Sequence, residues 1–293
     1  MNGIKYFDMH CDTLSRCYDE KKDIYDNDFQ ISLKRLAEYD TAVQFFAAYI
    51  NTFDYVGKAA YDRFCQQLSV YKKAVEYAKE LPNVHPILTI ESLSCLNHDI
   101  DKIDEFKKCG VKVASLNWNG YNGIAGGIGA DEGVSDFGCE VIKALESENI
   151  VLDVSHLNDR SFDDVLKMSG KPFIATHSNA REYGNVPRNL TSKQLCALFE
   201  RGGIVGLNLY DEFLGERLPE YDDLARHIEI MLNSGGEGKI ALGTDFDGCD
   251  TDERFENVSM MSGFYEYLKA HYGEKFANGI FFDNAADFFA DLF

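Results

Sequence analysis

The sequence predicts an α/β protein with the architecture of a (β/α)8 TIM-like barrel. Apolar stretches recur along the chain, and several are nearly continuous in Val, Ile, Leu, Phe and Ala, as in parallel strands covered on both faces. Segments with the apolar spacing of helices lie between most of them. Eight strands that alternate with helices indicate a barrel. The candidate strands are 4–10, 41–50, 85–91, 111–118, 150–156, 171–178, 203–210 and 239–248.

Five segments between these strands carry the clearest helical patterns. Asp136 and Thr191 are the expected N-caps of two of them, and Gly170 is the expected C-cap of another. A doubly wound open sheet is the alternative architecture, but the chain has neither a Walker loop nor a GxGxxG fingerprint to support it. The predicted helical segments are 61–81, 136–149, 158–170, 191–203 and 221–236.

Composition and length indicate one globular domain. The chain has 293 residues, of which 45% are hydrophobic and 27% are charged, an ordinary balance with ample apolar material for a core. No Pro/Ser-rich linker or low-complexity stretch divides it. We therefore expect a single domain that spans residues 1–293.

Charge and patterning exclude several classes of partner. The formal net charge of −20 argues against nucleic acid and anionic membranes, and no run of about 18 apolar residues could cross a bilayer. The N-terminus lacks a long apolar signal segment, so we expect a cytoplasmic protein. The eight cysteines are scattered, none in a Cys-x-x-Cys pair, and we expect reduced thiols.

Polar residues that can bind a metal stand at the ends of the candidate strands. In "DMHCDTL" (8–14), alternation along a strand would put Asp8, His10 and Asp12 on one face. The carboxyl ends of barrel strands meet at one mouth, where the active sites of this fold lie. The further strand-end residues are Glu91, His156, His177, Asp245 and Asp247.

Three imidazoles and several carboxylates at one rim have the composition of a site for zinc or another divalent metal. The set exceeds the three protein ligands that one catalytic zinc needs, so two metals bridged by a carboxylate are the economical interpretation. Individually, His156 could cap a helix, Glu91 could be a solvated strand end, and Asp245 could start an Asx-turn. The other histidines, at a strand start, in a loop and on helix surfaces, are His85, His98, His227 and His271.

Five motifs together resemble, in order and spacing, the membrane dipeptidase (renal dipeptidase) family of zinc metallopeptidases. They are "DMHCD", "ILTIES", "VLDVSHLND", "ATHSNAR…VPRNL" and "LGTDFDG", and "LNWNGYN" and "GGIVGLNLY" also fit the family pattern. The resemblance extends from Asp8 to the "FFDNAADFF" stretch near the C-terminus.

This resemblance implies a (β/α)8 barrel with two Zn²⁺ per chain. Asp245 would bind a water that bridges the metals and would move its proton, and Arg188 would hold the substrate carboxylate. Tyr210 and Asn208 would line the substrate pocket. By the same resemblance, one zinc would be held by His10 and Asp12, the other by His156 and His177, and Glu91 would bridge both.

The chain departs from the family pattern after the fourth strand. Mammalian members carry a histidine there that is thought to stabilise the oxyanion, whereas this chain has Trp118 between Asn117 and Asn119. Bacterial-type members resemble this version. Zinc, an asparagine amide or the backbone would then stabilise the oxyanion, and Trp118 and Asn119 are expected to contact substrate. The ending "FFADLF" is too short for a lipid-anchor signal.

The predicted function is a zinc-dependent dipeptidase that acts on small dipeptides through a metal-bridging water, with a D residue at the second position left open. A homodimer is a candidate assembly. The enzymatic alternative is a metal-dependent amidohydrolase for another amide, lactone or N-acyl substrate, against which Arg188 argues. A catalytically inactive, metal-stabilised barrel is the alternative from another class. Metal content and a dipeptide hydrolysis assay distinguish the three.

Overall fold

The fold is built on one sheet of seven parallel strands. The computed structural model describes residue 1 and residues 3–290, so Asn2 and the last three residues of "FFADLF" lie outside the described residues. The strand order is β5-β4-β3-β2-β1-β7-β6. The strands are β1 (Lys5–Asp8), β2 (Thr41–Tyr49), β3 (Val84–Glu91), β4 (Val111–Ser115), β5 (Val151–Asp153), β6 (Val205–Leu207) and β7 (Ile240–Leu242).

The predicted strand 171–178 is present only as isolated pairings. Ile174 forms a parallel bridge with Asp153 of β5, and Ala175 forms a parallel bridge with Val205 of β6. This segment therefore lies between the two strands that end the sheet order. Seven of the eight predicted strands form continuous ladders among the described residues, and the eighth contributes only these two bridges.

Several strands end earlier than predicted because the backbone turns at the polar residues. The φ angles of His156, Asp245 and Asp247 are 69°, 62° and 67°, and that of Ser92, directly after β3, is 75°. This left-handed conformation cannot continue a strand and is uncommon for residues other than glycine. The turns redirect the chain where the metal-ligand candidates stand.

Helices connect most of the strands. Among the described residues, no helix combines the length and the apolar character needed to span a bilayer. The helices are α1 (Thr13–Glu20), α2 (Leu33–Leu36), α3 (Lys58–Ala78), α4 (Lys102–Lys108), α5 (Asp136–Ser147), α6 (Asp159–Met168), α7 (Ser192–Glu200), α8 (Asp222–Asn233), α9 (Met261–Tyr272), α10 (Glu274–Asn278) and α11 (Asn284–Phe288).

The helix caps agree only in part with the sequence-based expectations. Thr191 caps α7 through a complete capping box with Gln194, as predicted. The N-cap of α5 is Ser135, because its hydroxyl accepts the Gly138 N–H, and Asp136 begins the helix instead. The prediction for Gly170 was wrong, since α6 already ends at Met168 and an extended residue follows it.

Apolar side chains fill both faces of the sheet. Alternation along β1 and β2 places Phe7 and Phe45 in one buried cluster, which also includes Phe289 near the end of the described chain. Tyr6 and Phe46 point the other way, into the larger cluster that packs the helices against the sheet. The polar strand ends are thus held by strands that are rigidly packed on both sides.

His227 is not on a helix surface as expected, but buried. Its Nδ1 lies 3.2 Å from the backbone nitrogen of Ala180, and its Nε2 lies 3.2 Å from the carbonyl oxygen of Leu214. Burial lowers the pKa of His227 to about 4, so the ring is neutral near pH 7. The imidazole links α8 to two loops.

We expect the close approach of backbones at Gly243 to make this position intolerant of any side chain. A methyl carbon added to Gly243 would overlap the carbonyl oxygen of Thr176 and would lie 3.1 Å from the Cα of Gly206. Gly243→Ala should lower the free energy of unfolding by about 3 kcal/mol or more. Urea titration measures this loss.

Gly170→Ala is the matched control, because its added carbon would meet only a Glu146 carboxylate oxygen at 3.5 Å, an ordinary contact. Its free energy of unfolding should stay within about 0.5 kcal/mol of the wild type. Equal stability of the two variants would contradict the packing described at Gly243.

Candidate metal centre

Six ionisable side chains converge at the carboxyl ends of the strands. They form three overlapping groups, and within each group one ligand atom per residue lies within 4.8 Å of the others. Because the three groups share residues, the six side chains form one continuous cluster. The groups are His10–His177–Asp245, Glu91–His156–His177 and His10–Asp12–Glu91.

Each of these residues stands at a strand end or just beyond it. Glu91 is the last residue of β3, and His10 and Asp12 follow β1. The backbone nitrogen of Asp12 donates to the carbonyl oxygen of Phe246 at 2.9 Å, which ties the segment after β1 to the segment after β7. His156, His177 and Asp245 follow β5, the bridging pair at 174–175 and β7.

Glu91 occupies the centre of the cluster. Its Oε1 lies 2.9 Å from Nε2 of His156 and 3.5 Å from Nε2 of His177. Its Oε2 lies 3.5 Å from Nε2 of His10. The two oxygens of one buried carboxylate therefore face two different sets of side chains.

His10 stands among the carboxylates. Its Nε2 lies 3.3 Å from Oδ2 of Asp12 and 3.8 Å from Oδ1 of Asp245. Burial works to lower the pKa of His10, but the carboxylates of Glu91 and Asp12 outweigh it and hold the pKa well above its usual value. Burial also opposes the shift at Glu91, yet the neighbouring histidines, His10 first, hold its pKa well below the usual range.

The pKa values of the other two histidines of the cluster are lowered, in contrast to that of His10. Burial and, next, the Arg188 charge lower the pKa of His156 to about 4. Burial and the charge of His10 hold the pKa of His177 well below its usual value. Both rings are therefore neutral near pH 7, with lone pairs available for a metal.

These residues fit a divalent metal. The Nε2 atoms of His156 and His177 face each other at 3.0 Å beside a carboxylate oxygen. Oδ1 of Asp12 is buried and lacks a hydrogen-bond partner among the described residues. Burial and the neighbouring Glu91 charge raise the pKa of Asp12 to about 7. Neutral imidazoles and carboxylates are the usual zinc ligands, and a cation would satisfy the unpaired oxygen.

Two histidines of the cluster have a hydrogen-bonding partner at Nδ1, on the side of the ring away from the cluster. Nδ1 of His156 lies 3.2 Å from Oδ1 of Asn119. Nδ1 of His177 lies 2.8 Å from the hydroxyl oxygen of Thr176, which donates to Oδ2 of Asp153 at 2.6 Å. Asp153, the last residue of β5, thus reaches the cluster through a residue of the neighbouring segment.

Asp8 does not join the cluster, although alternation placed it on one face with His10 and Asp12. Its carboxylate accepts hydrogen bonds from the side chains of Thr244 and Gln44 at 2.7 and 2.8 Å. The difference arises because β1 ends at Asp8 and the residues after it leave strand geometry.

Asp247, the other strand-end carboxylate, also lies outside the three groups. It accepts hydrogen bonds from the hydroxyl of Thr13 at 2.6 Å and from the backbone nitrogen of Gln30 at 2.8 Å. This carboxylate therefore anchors neighbouring segments at the mouth.

An open cleft of about 640 Å³ leads to the cluster. Trp118, Asn119 and Tyr210, which were predicted to contact substrate, all line it. Asn208 is fully buried, and its amide donates to Oδ2 of Asp245 at 2.9 Å. The cleft is large enough for a small molecule and opens directly onto Glu91, Asp12 and His156.

Arg188 lies buried behind His177. Its Nη1 donates to the hydroxyl of Ser178 and its Nη2 to the carbonyl oxygen of His177, both at 2.9 Å. Its Nε is buried and lacks a hydrogen-bond partner among the described residues. Burial lowers the pKa of Arg188, while the nearby carboxylates of Asp245 and Glu91 work against that shift.

A parallel α/β sheet whose strand ends bring three histidines and three carboxylates together beside one cleft is typical of metal-dependent hydrolases. Comparison with protein families agrees with this class. Residues 1–289 match the family model of the membrane dipeptidases, peptidase family M19. The chain therefore belongs to the membrane dipeptidase family, which consists of metal-dependent peptidases.

Individual relatives match parts of the chain. A protein from the pqqA 5′ region of Klebsiella pneumoniae is 30% identical over 209 residues, or 67% of this chain and 77% of that protein. The uncharacterized dipeptidase C965.12 of Schizosaccharomyces pombe is 30% identical over 183 residues, or 59% of this chain and 44% of that protein.

Solved structures share the fold over nearly the whole chain. A Rhodobacter sphaeroides metallopeptidase, solved with a phosphinate mimic of the dipeptide L-Ala-D-Ala, is 24% identical with a TM-score of 0.88 and covers 98% of this chain and 99% of its own. The M19 metallopeptidase dipeptidase AC is also 24% identical, with a TM-score of 0.89 and coverage of 97% of both chains.

The central position of Glu91 predicts that metal binding depends on its charge. Glu91→Gln should bind less metal than the wild type, because a neutral amide is a weaker ligand for a divalent cation than a carboxylate. Elemental analysis of the purified, zinc-loaded variant measures the loss.

Asp250→Asn is the control, since Asp250 lines the same cleft but belongs to none of the three groups. It removes the same charge and should leave the metal content unchanged. A Glu91→Gln protein with the full wild-type content of tightly bound zinc would contradict this dependence on the charge of Glu91.

Proposed function

We propose that this protein is a zinc-dependent dipeptidase that hydrolyses the peptide bond of dipeptides. The single observation that carries this proposal is the position of Glu91, whose two carboxylate oxygens face two sets of ligand side chains at the base of an open cleft. Membership of the membrane dipeptidase family supports the peptide bond as the target.

We assign two Zn²⁺ to the cluster. His10 and Asp12 would hold one ion, His156 and His177 the other, and Glu91 would contact both. When bound, two zinc ions lower the pKa of a water molecule and polarise a carbonyl group, which supplies a nucleophile and an electrophile near neutral pH.

Asp245 is the proposed proton carrier. Its Oδ2 accepts a hydrogen bond from Asn208, which orients the carboxylate. Burial raises the pKa of Asp245, which brings it closer to the working pH of a general base and acid. In this role Asp245 takes a proton from the attacking water and gives it to the amine that leaves.

Arg188 is the proposed partner of the substrate carboxylate. The described structure pairs its guanidinium with a hydroxyl and a carbonyl oxygen but with no carboxylate, and its Nε stays unpaired. An unpaired buried cation is costly, and a bound carboxylate would offset that cost. On a chain of net charge −20, an anionic substrate end needs such a local cation.

The walls of the cleft would contact the substrate side chains. Trp118, Asn119 and Tyr210 line it, and no histidine stands in place of Trp118 to stabilise an oxyanion. Because the Rhodobacter sphaeroides relative binds a mimic of L-Ala-D-Ala, we propose that a D residue is accepted at the second position of the dipeptide.

The architecture of the sheet is also part of the proposal. We propose that the sheet closes into a (β/α)8 barrel, in which the segment at 174–175 joins β5 to β6 as the eighth strand, and that residues 1–293 form one domain. The isolated bridges from this segment to both strands support closure. Association into a homodimer and a cytoplasmic location stay predictions.

The role of Asp245 predicts a loss of turnover with the metals retained. Asp245→Asn should lower kcat by about 100-fold or more, the usual scale for a general acid–base group, while elemental analysis still finds most of the zinc. A variant that hydrolyses dipeptides at the wild-type rate would contradict the role in proton transfer, and one that loses all its metal would make Asp245 primarily a ligand.

The role of Arg188 predicts a specific coupling between enzyme and substrate. Arg188→Ala should lower kcat/KM by a factor of roughly 30 to several thousand, because removing one partner of a buried charged pair costs ~2–5 kcal/mol. Amidation of the dipeptide C-terminus should cost the wild type a similar factor.

The test is a double cycle of wild type and Arg188→Ala against the free acid and the amide. The amide should cost the variant little more, since both changes remove the same interaction. Losses that simply multiply would mean that Arg188 does not hold this carboxylate, and would favour a hydrolase for another amide, lactone or N-acyl substrate.

A further inference from the structure

The same arrangement of an aspartate and a threonine occurs twice at the carboxyl ends of the strands. We call it an Asp–Thr clasp: the aspartate ends one strand, and its carboxylate accepts both the backbone N–H and the hydroxyl of a threonine in the neighbouring segment. In the first clasp, Asp8 accepts from the nitrogen and hydroxyl of Thr244 at 2.8 and 2.7 Å. In the second, Asp153 accepts from those of Thr176 at 2.9 and 2.6 Å.

The two clasps share their burial and a backbone contact, although Asp8 also accepts a hydrogen bond from the side chain of Gln44. All four residues are buried, with side chains almost entirely withdrawn from solvent. Each carboxylate also accepts the backbone N–H two residues further along its own chain, from His10 to Asp8 and from Ser155 to Asp153. Both clasps therefore join two neighbouring segments in the same way.

The two clasps differ in the groups that the threonine hydroxyl oxygen contacts besides the aspartate. The hydroxyl oxygen of Thr176 lies 2.8 Å from Nδ1 of His177. The hydroxyl oxygen of Thr244 instead lies near main-chain atoms, at 3.2 Å from the nitrogen of Phe246 and 3.4 Å from the carbonyl oxygen of His10. Only the second clasp ends on an imidazole of the metal centre.

The hydrogen-bond pattern determines which ring nitrogen of His177 carries the proton. A threonine hydroxyl has a single proton, and at 2.6 Å that proton lies on the bond to the Asp153 carboxylate. The hydroxyl oxygen can then only accept, from the Ser155 hydroxyl at 3.3 Å and from Nδ1 of His177 at 2.8 Å, so Nδ1 must donate to it. The ring is therefore protonated at Nδ1, and Nε2 keeps its lone pair toward Glu91 and His156.

We propose that Asp153 and Thr176 are positioning residues of the metal centre, which together hold His177 in the tautomer and orientation that a metal requires. This inference rests on the proposed function only in taking His177 as a metal ligand. Outer contacts of this kind orient a ligating histidine and raise its basicity, and their loss typically weakens metal binding 10–100-fold.

His156 has a similar but weaker contact at its Nδ1. Its Nδ1 faces the amide oxygen of Asn119 at 3.2 Å, a longer contact to an uncharged acceptor. Both histidines next to Oε1 of Glu91 therefore have a hydrogen-bonding partner at Nδ1. The contacts that begin at Nδ1 of His177 end on a carboxylate.

The experiment compares Thr176→Val with Thr244→Val. Both changes keep the size of the side chain and remove the hydroxyl of one clasp, and urea titrations of the metal-free forms measure the stability that each loses. Asp8 keeps the amide of Gln44 as a donor, so Thr244→Val should lose less stability than Thr176→Val. Zinc affinity, measured by competition with a chelator, should fall about 10–100-fold at one of the two metal sites in Thr176→Val. It should be unchanged in Thr244→Val, and Thr176→Ser should restore the wild-type affinity.

A second readout needs no metal. The nitrogen chemical shifts of His177 in the metal-free wild type should report a proton on Nδ1, and in Thr176→Val a mixture of the two tautomers. A wild-type ring protonated at Nε2, or zinc affinities that are equal in the two valine variants, would overturn the inference. A wild type that binds no zinc would instead refute the proposed function, and the tautomer of His177 would still decide the role of the clasp.

Discussion

The structure depends on one electrostatic constraint: three carboxylates are buried together at the carboxyl ends of the strands. Asp12, Glu91 and Asp245 all belong to the cluster, and buried carboxylates are stable only when they are paired or neutralised. Without a metal, protons serve this purpose, which is why the pKa of His10 is held well above its usual value and that of Asp12 is raised to about 7. Divalent cations would replace those protons and bind the lone pairs of the neutral imidazoles.

The sheet explains how so much polar chemistry can be held in one place. Its strands are packed with apolar side chains on both faces, and the backbone enters a left-handed conformation at His156 and Asp245, directly where the side chains are needed. Such conformations are unfavourable by about 1–3 kcal/mol each and persist only where the surroundings impose them. The Asp–Thr clasps contribute to this, because they connect the ends of neighbouring strands just below the cluster.

Much of the fold and the composition of the cluster could be predicted from local patterns. The predicted strand ends were sufficient to select His10, Asp12 and Glu91, because these residues lie at the ends of their strands or just beyond them. Period-two alternation misplaced Asp8, since β1 ends there and alternation no longer applies to the next residues of the chain. The strand at 171–178 was longer in prediction than in the structure, because Thr176 gives its N–H to a side chain, the Asp153 carboxylate, where a ladder would use a carbonyl oxygen.

Contacts between distant parts of the chain could not be predicted in this way. Asp153 acts on His177 through a residue of a neighbouring segment, and no local pattern links them. His227 was expected on a helix surface, yet it lies on the buried face of α8 with Leu224, Ile228 and Met231, and its hydrogen-bond partners belong to two loops earlier in the chain. Arg188 was selected by resemblance alone, and its burial without a carboxylate partner is a property that only the folded chain reveals.

The most direct test of the proposed metal centre is a crystal structure of the zinc-loaded protein with anomalous diffraction data collected at the zinc absorption edge. We expect two anomalous peaks, one near each oxygen of Glu91, with His10 and Asp12 around the first and His156 and His177 around the second. A single peak, or two peaks of which either is out of reach of Glu91, would contradict a centre in which this carboxylate bridges two metals.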